Sequence, residues 1–170
     1  MVSRSRRGFA FGLAILAMLA ANVASTLEAG DRAPVFSAPS LDGNGTIELG
    51  EFRGKVVYVD FWASWCPPCL VAIPEIEALR REFPKDRFQI LAVNLDQKQS
   101  KALRFLSKNP VGYPSLSDPK GRLPEQFGLE TMPTSYLIDQ AGIIRYVHRG
   151  FRRGDSSKLR LEIRKLLGPN

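Results

Sequence analysis

The sequence predicts an α/β domain, with a mixed central sheet flanked by helices and an extra β-hairpin on its N-terminal side. Three observations predict it. Two apolar, β-branched runs, KVVYVDFW at Lys55–Trp62 and FQILAVNLD at Phe88–Asp96, are each followed by a stretch of helical spacing. Strand–helix–strand units of this kind pair their strands in parallel, because the chain must cross over the sheet to return. Two later runs, TSYLIDQ and IIRYVH, are separated only by Ala141-Gly142, a turn so tight that the pair must be antiparallel. Nearer the N-terminus, the turn signal Asp42–Gly45 lies between two short apolar stretches of LDGNGTIEL.

Residues 29–50 are rich in Gly, Pro, Asp and Ser and read as the hairpin. Lys55–Trp62 has few charges, so it reads as a central strand covered on both faces. After Cys69 the apolar residues Leu70, Ile73, Ile76, Leu79 and Phe83 recur at helical spacing. Pro74 lies inside that helix and is expected to kink it. Phe88–Asp96 is a second buried strand, and Gln99–Asn109 an amphipathic helix ended by Pro110. Residues 111–122 read as loop with at most a short strand, and Leu123–Gly128 as a short helix stopped by its glycine. A hairpin follows over Thr134–His148, then an amphipathic helix from Ser156. Asp155 or Ser156 can cap its start and Gly168 its end. The chain has no internal repeat, and no low-complexity tract beyond the leader.

A chain of 170 residues with 44% hydrophobic content suits one domain with a full core, assigned here to residues 30–168. The net charge is +7, but Arg4, Arg6 and Arg7 precede the first acid, Glu28, and without residues 1–25 it falls to +4. With no dense basic run interleaved with aromatics in the body, a nucleic-acid partner is not expected. Residues 1–25 read as a signal peptide. Three arginines are followed by an uncharged stretch from Gly8 to Ala24, and Val23–Ser25 offers a cleavage site. The stretch is shorter than the roughly 20 apolar residues of a membrane span, although an uncleaved inner-membrane anchor stays open. Ser5–Ala10 also resembles a twin-arginine export signal, beside the general Sec route. Lipidation is excluded because no cysteine follows. The expected location is the periplasm or another extracytoplasmic, oxidising compartment.

Both cysteines and both tryptophans fall within FWASWCPPCL, Phe61–Leu70. The spacing of Cys66 and Cys69 allows a structural staple, half a metal site or a redox dithiol. A Cys-x-x-Cys after a buried strand and before a helix points to the dithiol, because free N–H groups and the helix dipole stabilise a thiolate there. Cys66 is expected as the first helical residue, the more exposed and more acidic thiol, and Cys69 as the shielded resolving thiol. Pro67 and Pro68 are tolerated in the first helical turn, where their missing N–H groups would go unpaired anyway. They also remove two donors from the thiolate. A zinc site needs four ligands, and beyond the thiol pair the chain offers one distant histidine, His148. A structural staple would close so short a loop that it removes little unfolded-state entropy. No metal and no cofactor are expected. Asp60, in the middle of VVYVDFW, is costly to bury charged.

VDFWASWCPPC with IPEIEAL, VNLD, TMPTSYLIDQAGIIRY and the APVFSAPSLDGNGTIELGEFRGK region resembles the exported thioredoxin-like reductases of the TlpA/ResA type, over roughly Gly30–Leu167. The resemblance implies a thioredoxin fold and a protein-disulfide reductase, with client protein disulfides as partners. Apocytochrome c cysteines (cytochrome c maturation) and copper-site thiols are the client classes it implies. It further implies a membrane thiol transporter of the DsbD/CcdA type as electron donor, and a monomer. Pro133 matches the family's cis-proline, which with Met132 faces the cysteines and leaves backbone free for a substrate segment. Trp65, Pro67 and Pro68 would form the site rim. Asp60 resembles the aspartate that thioredoxins proper place below the second cysteine as proton acceptor, and burial is expected to raise its pKa. Two positions depart from the pattern. The helix glutamate of many relatives is Ala72, and the lysine that cytoplasmic thioredoxins place near this aspartate is Ala92. Glu75 is a weaker substitute for the missing acid. Two other functions stay open at this level. A copper-binding or delivery module would need a better-placed histidine or methionines than His148 and Met132 supply. A thiol peroxidase would need Thr or Ser where Ala63 stands and a proline where Val59 stands.

Overall fold

The computed structural model describes residues 26–169; the predicted leader lies outside them. Two short strands, β1 (Ser37–Pro39) and β2 (Thr46–Glu48), form the expected antiparallel hairpin, and a 3-10 turn at Leu49–Phe52 leads into the sheet. The main elements are β3 (Val56–Trp62), α1 (Pro67–Glu82), β4 (Phe88–Asn94), α2 (Gln99–Lys108), β5 (Ser115–Ser117), α3 (Arg122–Phe127), β6 (Thr134–Ile138), β7 (Ile144–Arg149) and α4 (Ser156–Leu167). The sheet order is β5-β4-β3-β6-β7. β3, β4 and β5 pair in parallel, and β6 is antiparallel to both β3 and β7. This is the thioredoxin-like mixed sheet that the sequence predicts.

The crossovers decide which helices share a face. Both steps, β3 to β4 and β4 to β5, move across the sheet in one direction. Right-handed crossovers in one direction leave their helices on the same side. Accordingly α1 and α2, joined by α4, bury Ile73, Ile76, Ala102, Leu159 and Ile163 against Tyr58, Trp62 and Ile90. The opposite face packs α3 and the N-terminal segment, through Leu123, Phe127 and Phe36, against Val57, Phe61, Leu91 and Tyr136. Every residue of β3 is buried, as a strand covered on both sides requires. The N-terminal segment also protects the sheet's edges, which would otherwise offer unpaired backbone to another chain. Leu41 N–H donates to the Ser115 carbonyl beside β5, and Gly30 N–H to the Ile144 carbonyl of β7.

The helix from Cys69 runs unbroken through Pro74, whose ring faces solvent. α4 differs from expectation at its start. Asp155 occupies the N-cap position, but its side chain accepts from the Arg152 N–H instead of capping the helix.

Candidate active site at the start of helix α1

β3 delivers the chain to the dithiol. After Trp62 a tight turn forms, closed by the Cys66 N–H donating to the Ala63 carbonyl at 3.1 Å. Its second residue, Ser64, is held from outside: its N–H and its hydroxyl donate to the two oxygens of Asp96, at 2.8 and 2.7 Å. Its third residue, Trp65, is 60% exposed. Trp62 is 1% exposed and packs on Phe105, as expected of a core residue.

Cys66 and Cys69 form a disulfide, with Cα atoms 5.3 Å apart. The structure corrects the expected boundary by one residue. Cys66 is the N-cap, and Pro67 and Pro68 are the first two helical residues, both exposed. The reason is local: the fixed proline φ suits the first turn, while Cys66 keeps the extended backbone of a cap residue. Of the N–H groups that would face an N-cap side chain, only that of Cys69 remains, donating to Cys66 Sγ at 3.3 Å. The expected contrast in exposure is also small in this closed form, with Cys66 at 4% and Cys69 at 1%.

Asp60 sits two residues before the end of β3, on the side that alternation shares with Tyr58 and Trp62. That is the side on which α1 packs. Burial alone pushes its pKa up to about 8. Among the described residues its carboxylate has no hydrogen bond and no ion pair. Its strand neighbours are Ala92 on β4 and Ser135 on β6, so an alanine does occupy the place beside it where a lysine would have compensated the charge. Tyr58 donates to or accepts from Ser135 Oγ at 2.6 Å. Burial, and then the Asp60 charge, push the hydroxyls of Tyr58 and Tyr113 upward.

The other acids of α1 are committed elsewhere. Glu75 accepts from the Gly154 N–H and the Ser156 hydroxyl, tying α1 to the start of α4. It therefore does not replace the missing helix acid, and Ala72 is fully buried. Glu77, which the apolar spacing did not place on the buried face, is 7% exposed. It accepts from Arg80, Arg81 and the Gly112 N–H. Hydrogen bonding from Arg80, the largest influence, outweighs burial and holds it down at about 2.

The Met132–Pro133 peptide is cis. The Pro133 carbonyl accepts from the Gly150 N–H at 2.8 Å, and Thr134 Oγ1 donates to the Thr131 carbonyl. Between these two ties, the main-chain groups of Met132 have no hydrogen-bond partner among the described residues. His148 is held in a separate cluster. Its Nε2 lies 3.3 Å from Asp155 Oδ2, its ring stacks on Tyr146, and the edge of Phe151 meets it. Sequence reasoning missed the Ser64–Asp96 contact and the buried Glu77. The sign the sequence held was weak: the polar Asn94 and Asp96 follow the apolar run Ile90–Val93, at a strand end where polar residues are ordinary.

The model of the Redoxin family matches residues 28–161. The chain belongs to the redoxin family. This redoxin is 32% identical, over 145 residues, to the thiol-disulfide oxidoreductase ResA of Halalkalibacterium halodurans, covering 85% of this chain and 80% of the relative. It is 34% identical over 127 residues to the thioredoxin-like protein YneN of Bacillus subtilis, with 73% of each chain covered. Among solved structures, one from Chlorobium tepidum, assigned as a thiol:disulfide interchange protein DsbE, superposes with a TM-score of 0.80 at 40% identity. That match covers 84% of this chain and all of the other. With its Cys-Pro-Pro-Cys disulfide at the head of α1, this redoxin is a thiol–disulfide oxidoreductase of the TlpA/ResA type, acting on protein thiols.

Proposed function

We propose that this redoxin works outside the cytoplasm as a reductant of client protein disulfides. In the reduced protein the Cys66 thiolate attacks one sulfur of a client disulfide. An S–S bond forms between Cys66 and the client, and the client's other sulfur leaves as a thiolate. Asp60 takes the proton of Cys69. The Cys69 thiolate then attacks Cys66 Sγ, closing the protein disulfide and releasing the second client thiolate. Two electrons pass from the dithiol to the client. The observation that carries this reading is a disulfide at the start of α1 together with a buried carboxylate, without hydrogen bond or ion pair among the described residues, on the face of β3 that α1 covers. A group with a pKa of about 8 exchanges protons readily near neutral pH. The Met132 backbone, which has no hydrogen-bond partner among the described residues and lies beside the cis Pro133, supports an extended client segment lying there, with Trp65, Pro67 and Pro68 as its rim.

The oxidised dithiol needs a two-electron donor, for which a membrane thiol transporter of the DsbD/CcdA type is proposed. The arginine-led, uncharged leader supports export, with residues 1–25 as signal peptide or anchor and a monomeric domain over 30–168. No helix among the described residues is long and apolar enough to cross a membrane. Cytochrome c maturation or repair of metal-site thiols are the proposed client pathways.

The test is trapping. Cys69→Ser should accumulate mixed disulfides through Cys66, and Cys66→Ser should accumulate none. Adducts in the second variant alone would exchange the two roles. Direction is read from the Cys66–Cys69 potential. A value near thioredoxin's, about −270 mV, supports a reductant, and one near DsbA's, about −120 mV, sinks it.

A further inference from the structure

Asp96 is 1% exposed, and among the described residues it has no cationic partner. Three neutral donors serve its two oxygens. Ser64 N–H and Asn94 Nδ2 donate to Oδ2 at 2.8 and 2.9 Å, and the Ser64 hydroxyl donates to Oδ1 at 2.7 Å. Asn94, itself fully buried, is held in turn by accepting the Asp96 N–H at 3.1 Å. Burying a carboxylate is costly unless its hydrogen bonds are met, and here two of the three come from the active-site turn itself and the third from the end of β4. Ser64 is the second residue of the Ala63–Cys66 turn, so the carboxylate lies one short turn from the nucleophile. On the cysteine side the compensation is reduced: Pro67 and Pro68 supply no N–H, and among the described residues the Cys69 N–H is the one donor to Cys66 Sγ.

We propose that Asp96 is a positioning residue with an electrostatic role: it clasps the turn that presents Trp65 and Cys66, and its charge disfavours the Cys66 thiolate. A destabilised thiolate favours the disulfide and makes the reduced protein the stronger reductant. The logic is that of DsbA inverted, whose stabilised reduced form makes it an oxidant. The proposal rests on the reductant reading above and supplies it with a cause.

The chemistry of asparagine allows charge and clasp to be separated. In Asp96→Asn the amide oxygen can still accept from Ser64 N–H and Asn94, while the amide N–H₂ donates to Ser64 Oγ. The geometry stays and the charge goes. In Ser64→Ala the charge stays and loses one of its three donors. The measurement is the equilibrium of full-length protein with glutathione at neutral pH, in which the protein disulfide and two glutathione thiols give the dithiol and one glutathione disulfide. It is paired with the alkylation rate of reduced Cys66.

Asp96→Asn should shift the equilibrium toward the dithiol by roughly tenfold, equivalent to about 30 mV for this two-electron couple, and should speed alkylation. Ser64→Ala should shift it the opposite way. Equal shifts of both variants in one direction, or no shift in Asp96→Asn, would overturn the electrostatic role and leave only a structural clasp. If Asp96→Asn does not fold, the direction of the Ser64→Ala shift alone decides. Glutathione needs no client, so a redoxin that traps no client protein would fail the reductant reading while this measurement still stands.

Discussion

Asp60 shows how one residue can hold function against stability. Its carboxyl lies in a strand buried along its whole length, beside an alanine. Burial raises its pKa to about 8 in the folded protein, against about 3.9 in an unfolded chain. Between those values the folded state binds a proton that the unfolded state releases, so stability falls as pH rises across the window. The contribution is complete below about pH 4 and lost as pH passes about 8. Asp60→Asn removes this dependence. The variant should be more stable than the parent at alkaline pH, by on the order of a few kcal/mol, and slower in releasing trapped clients. Urea unfolding from pH 5 to 9 measures the first effect. Parallel stability curves across that range would show that the carboxyl is not held neutral. This residue was legible in the sequence because an acid inside VVYVDFW has no exposed face to occupy. Asp96 was not legible in the same way. It follows a strand end, where an acid is ordinary, and only the fold brings Ser64 to it.

At the scale of the element, α1 is a helix whose N-terminus has been stripped of donors. An N-cap side chain normally accepts from the second or third helical N–H. Pro68 removes the former, leaving the Cys69 N–H. Pro68→Ala would restore it. A new donor aimed at Cys66 Sγ should stabilise the thiolate and move the glutathione equilibrium toward the dithiol by roughly three- to tenfold, that is about 15–30 mV. The helix itself should lose little, since alanine propagates a helix well. An unchanged potential would mean that the proline acts on stiffness alone. The same helix shows the limit of periodicity. Leu70, Ile73, Ile76 and Leu79 were readable as its inner face. Glu77 was not, because its burial depends on Arg80, Arg81 and the loop at Gly112, and Gly112 is remote in sequence.

For the whole molecule, the two faces of the sheet divide the work. The face under α1, α2 and α4 holds the dithiol and Asp60. The other face is anchored by Phe127, whose ring lies 5.8 Å from Phe36, 5.2 Å from Phe61 and 4.9 Å from Tyr136. Phe127→Ala should cost about 3–5 kcal/mol, the usual range for a buried ring. It should nevertheless leave the alkylation rate of reduced Cys66 within about twofold, since additivity holds for sites that share no partners. Denaturant midpoints and alkylation kinetics on one preparation test both halves. A large kinetic effect would mean that the two faces are coupled through β3.

The order of elements, the parallel and antiparallel halves of the sheet, the dithiol and the buried acid were determined by the sequence itself. Each rests on local periodicity, turn chemistry or the cost of placing a polar group in an apolar run. Tertiary structure alone decided what surrounds the dithiol. It engaged Glu75 and Glu77 away from Asp60, and brought Asp96, two residues beyond β4, to the turn after β3. The physical reason is that these side chains respond to partners brought together across the sheet and between helices. A carboxylate's role depends on which donors reach it, and chain order does not list them.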